Sequence, residues 1–181
     1  MDAQFADVIA AAQSAGLIAK ARTVIVAIDG FGGAGKSTLA ARVAERLDAV
    51  VVQTDDFASW DNPLDWWPRL LEQVLVPLSH DEPARYQRYD WDARELAEWI
   101  EVAPGGIVIV EGVSSSRAAF RPFLSLAIWV DAPSDLRLAR GLERDGVDMR
   151  DQWIEWMSAE QAWADDEDPR AAADLIVSGR E

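Results

Sequence analysis

The sequence contains no cysteine and only one histidine, His80. Disulfide frameworks, thiolate metal sites and cysteine nucleophiles are therefore excluded, and a single imidazole argues against a histidine-built metal centre or a Ser-His triad. Base is scarce: 17 lysines and arginines stand against 32 acidic residues, a formal net charge of −15 at pH 7. A body of that sign repels the phosphate backbone of a long nucleic acid, so no nucleic-acid partner is expected. No apolar stretch approaches the roughly 20 residues of a membrane span. The chain opens Met1-Asp2, acidic where a secretory leader would carry base, so a soluble, cytoplasmic protein without a membrane partner is expected. Any chemistry must come from carboxylates, cations and backbone. What is present suffices for a core: half of the 181 residues are apolar or aromatic and 27% are charged. No repeat, low-complexity linker or composition break divides the chain, and 1–181 reads as one domain.

Phe5, Val8, Ile9, Ala12, Leu17 and Ile18 recur at mixed three- and four-residue spacing, which predicts an amphipathic helix within 1–21. Thr23-Val24-Ile25-Val26-Ala27-Ile28 is a nearly unbroken β-branched run, as in a strand buried on both faces of a parallel sheet. Similar runs lie at 50–52, 107–110, 126–130 and 175–177, with helical patterns near 36–47, 64–76, 93–101, 134–144 and 150–164. Asp92-Ala93-Arg94-Glu95 reads as a capping box opening the 93–101 helix, and Pro133-Ser134 as a second helix start. Strands alternating with helices imply an α/β fold, a five-stranded parallel sheet with helices on both faces.

Directly after the first strand stands Gly30-Phe31-Gly32-Gly33-Ala34-Gly35-Lys36-Ser37-Thr38, which satisfies G-x-x-x-x-G-K-[ST] and leads into an apolar helix. The glycines let successive N–H groups turn inward, and the helix N-terminus adds positive potential where phosphates sit. Lys36 would reach the outer phosphates and Ser37 would ligate Mg²⁺. Fifteen of the seventeen basic residues are arginine, and only Lys20 and Lys36 are lysine, a compact ammonium kept where phosphate suits it. A nucleoside triphosphate is the expected ligand of this P-loop, with ATP preferred and GTP left open.

No N-K-x-D motif and no Walker B aspartate–glutamate pair follows a candidate strand, which leaves the small-molecule kinases. Phosphoryl transfer to a hydroxyl needs an acid near the acceptor, a metal-organising acid and cations over the migrating group. Asp55 and Asp56 follow the second strand, on the sheet edge where α/β folds bind ligands. Glu111 ends the 107–110 strand, a position from which a carboxylate holds the metal's water shell. Arg137, Arg140 and Arg144 lie along one face of the 134–150 segment, an arginine-bearing lid or, alternatively, a face salt-bridged to Asp135, Glu143 and Asp145. Of nine tryptophans, Trp60, Trp66 and Trp67 cluster beyond the acidic loop. Trp60 is the candidate to cover an acceptor, whereas Trp153, Trp156 and Trp163 read as core. Asp165-Asp166-Glu167-Asp168 reads as a solvated helix end, and His80 as a surface residue.

Over residues 23–178 the chain resembles the uridine kinase family, within the group that also holds phosphoribulokinase and pantothenate kinase. Gln53-Thr54-Asp55-Asp56-Phe57 is similar to the family's D-S-F-Y segment, whose first aspartate takes the acceptor proton, implying that role for Asp55. Trp60-Asp61-Asn62-Pro63 resembles F-D-H-P, implying ribose binding by Asp61. Tyr89-Asp90-Trp91 resembles Y-D-F, implying that Tyr89 lies against the base, with Arg94 matching the arginine that closes the motif. Val110-Glu111-Gly112, the 130–145 segment and Ala173-Asp174-Leu175-Ile176-Val177 resemble the metal-side strand end, the lid and the final strand. The pattern differs in three places. The Asp55–Asp61 interval is short, no histidine follows the Y-D-F match, and Gly146-Val147-Asp148-Met149-Arg150 replaces E-R-G-R, with Arg150 a loose substitute. The resemblance implies Mg-ATP-dependent phosphorylation of a primary hydroxyl, with residues 54–92 binding a nucleoside acceptor. A kinase for a sugar or vitamin, and a regulatory module that hydrolyses ATP slowly, stay open, as does a homo-oligomer.

Overall fold

A computed structural model describes residues 3–18, 22–59, 62 and 65–180. The chain runs α1 (Ala3–Ile18), β1 (Thr23–Asp29), α2 (Lys36–Leu47), β2 (Val50–Gln53), α3 (Trp67–Leu70) and α4 (Val76–Ser79), the last two joined by a π-helical turn, Leu71–Leu75. A hairpin of β3 (Ala84–Asp90) and β4 (Glu95–Val102) follows, then β5 (Gly106–Glu111), β6 (Leu126–Asp131), α5 (Ser134–Asp145), α6 (Arg150–Glu167) and β7 (Leu175–Ser178). Five strands form one parallel sheet in the order β2-β5-β1-β6-β7. All seven residues of β1, the central strand, are buried, which is why its sequence shows no polar alternation before Asp29.

The pleat sends alternate residues to two cores. On one face Val24, Val26, Ile28 and Ile109 pack beneath α1 and α2, with Phe5, Val8, Ile9, Ala12 and Ala15 as the buried stripe of α1. That confirms the N-terminal helix, although Leu17 is 89% exposed. On the other face Ile25, Val52, Val108 and Val110 meet Leu70, Val74, Leu75 and Leu78 of the α3–α4 segment, together with Tyr86, Val102 and Phe120. Trp66 packs tilted, and Trp67 edge-on, against Phe120 in this second core. Helices thus cover both faces, and among the described residues no helix is long and apolar enough to cross a membrane.

The expected 93–101 helix is corrected by the structure: Glu95–Val102 is strand β4, paired antiparallel with β3. Glu95, Leu96 and Ala97 favour helix, but pairing Tyr86 with Ile100 and Ala84 with Val102 puts four side chains on the second core, and tertiary burial overrides propensity. The supposed capping box is a hairpin turn. Asp90, not Asp92, is the side chain that caps: its Oδ1 accepts from the Asp92 and Ala93 N–H groups at 3.0 and 2.9 Å. Arg94 then takes a left-handed φ of 59° to reverse the chain.

Candidate active site

The carboxyl ends of β1, β2 and β5 open into a cleft of about 940 Å³ whose wall includes Lys36, Ser37, Asp55, Glu111, Arg140 and Arg144. Its floor is the loop from Gly30 to Gly35. Gly33 must be glycine twice over, with φ at +74° and an added Cβ 2.5 Å from the Arg137 carbonyl oxygen. At Gly30 an added Cβ would stand 2.4 Å from the Val130 carbonyl oxygen. The α2 N-cap, Gly35, offers no side-chain cap, so the first amides of the helix, at Lys36, Ser37 and Thr38, remain available to an anion. Lys36 is 7% exposed, and its Nζ donates to the Phe31 carbonyl at 3.1 Å.

Behind the loop lies a residue that the sequence reading passed over. Asp29, fully buried, accepts from the N–H groups of Gly30, Ser114 and Ser116 and from the Ser116 hydroxyl, all within 2.6–2.9 Å. One carboxylate thereby ties the phosphate loop to the turn after β5. An aspartate closing an otherwise apolar strand was the available signal.

Glu111 ends β5, and its Oε1 accepts from the Ser37 hydroxyl at 3.1 Å. Burial raises its pKa, Asp55 and Asp29 add to the rise, and Lys36 and the Ser37 bond oppose it. A buried carboxylate crowded by two others beside a hydroxyl is a hard-oxygen setting that a divalent cation relieves. Among the described residues no cluster of three acidic or histidine side chains could hold a metal by itself.

Asp55 and Asp56, adjacent in a 3₁₀ turn after β2, part company. Asp55 is exposed to the cleft, and its carbonyl accepts from Trp91 Nε1 at 3.1 Å. Asp56 accepts from the Tyr86 hydroxyl at 2.9 Å, and burial raises its pKa. Of the Tyr89-Asp90-Trp91 trio it is Trp91 that faces the cleft; Tyr89 is buried edge-on against it, and Arg94 is exposed at the hairpin tip. Trp60 and Asp61 lie outside the described residues. Arg150 is exposed at the start of α6 and does not line the cleft, whereas its neighbours Met149 and Gln152 do.

The arginine stripe of α5 divides three ways. Arg140 Nη1 donates to the carbonyls of Gly33 and Gly179, holding the phosphate loop to the end of β7. Arg144 is 70% exposed at its side chain, paired with Asp145 and stacked over Trp153. Arg137 is buried beneath the loop, over the Phe31 ring and 3.6 Å from Glu160 Oε2.

Of the three tryptophans expected in the core, Trp153 and Trp163 are buried and Trp156 is half-buried; Trp153 and Trp156 in addition line the cleft that Asp55 also lines. Glu160, also missed, sits on the same face of α6. Its Oε1 and Oε2 accept from the Gly32 N–H at 3.2 and 3.1 Å, so a carboxylate touches the phosphate loop. Burial raises its pKa, against the pull of Lys36, Gly32 and Arg137. An acid at helical spacing within a tryptophan stripe was the readable sign.

No family model matches the chain. Among curated proteins it is 28% identical to a uridine kinase of Lactobacillus helveticus over 144 residues, 68% of each chain. It is also 28% identical to a uridine kinase of Staphylococcus carnosus over 142 residues, again 68% of each. The chain thus spans about two thirds of the length of these relatives. Among solved structures, a possible uridine kinase from Bacillus stearothermophilus superposes with a TM-score of 0.70 at 18% identity, covering 96% of both chains. A putative fructose transport system kinase from a Silicibacter species gives 0.68 at 20%, covering 97% of this chain and all of the other. The sequence resemblance to uridine kinases and the P-loop kinase fold are therefore both present, and together they support a phosphotransferase.

Proposed function

We propose that this uridine kinase-like chain is an ATP-dependent kinase that phosphorylates the 5′-hydroxyl of a pyrimidine nucleoside, uridine or cytidine. The observation that carries the reading is Asp55, facing the Lys36–Ser37–Glu111 cradle from the same cleft. The loop amides and Lys36 hold the triphosphate, and Ser37 and Glu111 are the residues that would hold Mg²⁺. When bound, that ion neutralises charge on the phosphate oxygens.

Asp55 accepts the proton of the acceptor hydroxyl as its oxygen attacks the terminal phosphorus in line. The bond to the leaving ADP breaks, and Arg140 and Arg144 balance the charge that spreads over the migrating group. Trp91, pinned by its bond to the Asp55 carbonyl, is the cleft aromatic beside Asp55 and the one to pack on the acceptor. Trp91 takes the place that the family resemblance implies for Tyr89, since Tyr89 packs behind it and Arg94 stands at the hairpin tip, outside the cleft lining. Asp61 keeps the ribose-binding role that the resemblance implies, and Trp60 stays the candidate to cover the acceptor.

A sugar acceptor on the same machinery is the second reading. The tryptophans and carboxylates of the cleft fit stacked polyols, and His80 stands exposed at the end of α4 rather than in the cleft. The deciding experiment offers the protein Mg-ATP with a panel of nucleosides, sugars and vitamins, each product read by mass spectrometry. A phosphoryl group gained by uridine or cytidine supports the proposal, and one gained only by a sugar moves it to the second reading. ADP release that no acceptor stimulates but a protein partner does would favour a regulatory module instead.

A further inference from the structure

Two donors of the phosphate loop are engaged by the protein itself. Gly32 N–H donates to both oxygens of Glu160, and Lys36 Nζ is turned back onto the Phe31 carbonyl. These are two of the groups that a triphosphate tail would claim. No slack exists at the first: a Cβ on Gly32 would stand 2.9 Å from Glu160 Oε1 and 3.2 Å from the Trp153 ring. The Glu160 carboxylate is held among Lys36 and Arg137, which attract it, and Asp29, which repels it. A phosphate and a carboxylate cannot share one N–H donor without like-charge repulsion, which the low exposure of Glu160 strengthens.

Glu160 belongs to α6, and Gln152, Trp153, Glu155 and Trp156 of the same helix line the cleft that Asp55 also lines. We infer that Glu160 is a carboxylate latch, a positioning residue that holds α6 on the phosphate cradle until a triphosphate displaces it. Release of the latch then resets the wall against which the acceptor binds. The inference rests on the kinase reading for its consequence, that donor precedes acceptor. The latch itself is tested by nucleotide binding alone.

The experiment is isothermal titration of the full chain with Mg-bound, non-hydrolysable ATP analogue and no acceptor, comparing wild type with Glu160→Gln and Glu160→Ala. A charged hydrogen bond that no longer has to be broken should tighten binding by roughly tenfold or more in both variants. Hydrogen exchange supplies the second readout. Analogue should raise exchange within 150–167 of the wild type, while Glu160→Ala should show the raised exchange before any nucleotide is added. Unchanged or weaker affinity in the variants, with normal melting, overturns the latch. If Glu160→Ala does not melt cooperatively, the near-isosteric Glu160→Gln decides. Failure of wild type itself to bind the analogue would instead overturn the phosphate-cradle reading, a separate result.

Discussion

Gly141→Ala places a methyl group where α5 meets α6, and its sign separates helix propensity from packing. Within a helix such as α5, exchanging glycine for alanine ordinarily stabilises by about 1 kcal/mol. Here the new Cβ would lie 2.4, 2.5 and 2.7 Å from Cε2, Cζ2 and Cδ2 of Trp153, against the roughly 3.5–4.0 Å at which carbons rest. The indole cannot swing aside cheaply. It is 3% exposed, and its Nε1 donates to Asp145 at 3.0 Å. Overpacking of this kind costs about 1–3 kcal/mol, and loss of the indole bond adds about 1 kcal/mol. The net is a loss of about 2 kcal/mol, or a Tm lowered by about 4–8 °C for a chain of this size. Thermal unfolding followed by circular dichroism reads it directly. In a Trp153→Ala background the obstacle is gone, and Gly141→Ala should then raise Tm by about 2–4 °C. A raised Tm in the wild-type background, or the same shift in both, would refute the packing argument.

Asp55→Asn should lower kcat by about 10²–10⁴ while leaving the Kd for Mg-ATP nearly unchanged; near-normal turnover removes Asp55 from the chemistry. Lys36→Ala should abolish both nucleotide binding and turnover, measured by titration and ADP release. Asp29→Asn turns an amide NH₂ toward donors that now meet only oxygen, and should cost about 3 kcal/mol in urea unfolding. Acid should loosen the β3–β4 hairpin. Backbone donation from Ala93 and the Arg88 bond lower the Asp90 pKa, and Arg88 lowers that of Glu98. The stability these groups add is complete above the ordinary carboxylate range and disappears as pH falls through their depressed values. Amide protection across 84–102, corrected for intrinsic rates, should therefore be flat from pH 8 to 6 and fall near pH 3; constant protection would contradict the turn geometry.

The sequence is most readable where local pattern and global burial agree. The β1 run and the phosphate loop are legible because a strand buried on both faces has to be apolar throughout, and Gly30, Gly33 and Gly35 hold angles that other residues rarely adopt. In β3 the run Ala84-Arg85-Tyr86-Gln87-Arg88-Tyr89-Asp90 hides its alternation behind charge, since one face meets solvent and Arg88 pairs with Glu98. In β4, Leu96, Trp99 and Ile100 mimic helical spacing, and only pairing with a strand earlier in the chain selects the extended form. Asp29 and Glu160 are invisible to periodicity for a different reason. Each is a carboxylate on an apolar surface whose partners lie 85 and 128 residues away, at Ser114 and Gly32. Trp153 and Trp156 show the same limit: helical spacing finds the stripe but not the crevice it borders.

Because the central sheet divides its oily residues into two masses with no shared helix, the halves of this molecule can change at different speeds. On the proposed function, the hairpin and the α3–α4 segment lie on the acceptor flank, while the core that carries the loop lies across β1. A lineage could redraw that flank without rebuilding the core beneath the loop; the α6 wall, fastened to Gly32 by Glu160, is the one part where both halves would have to change in step.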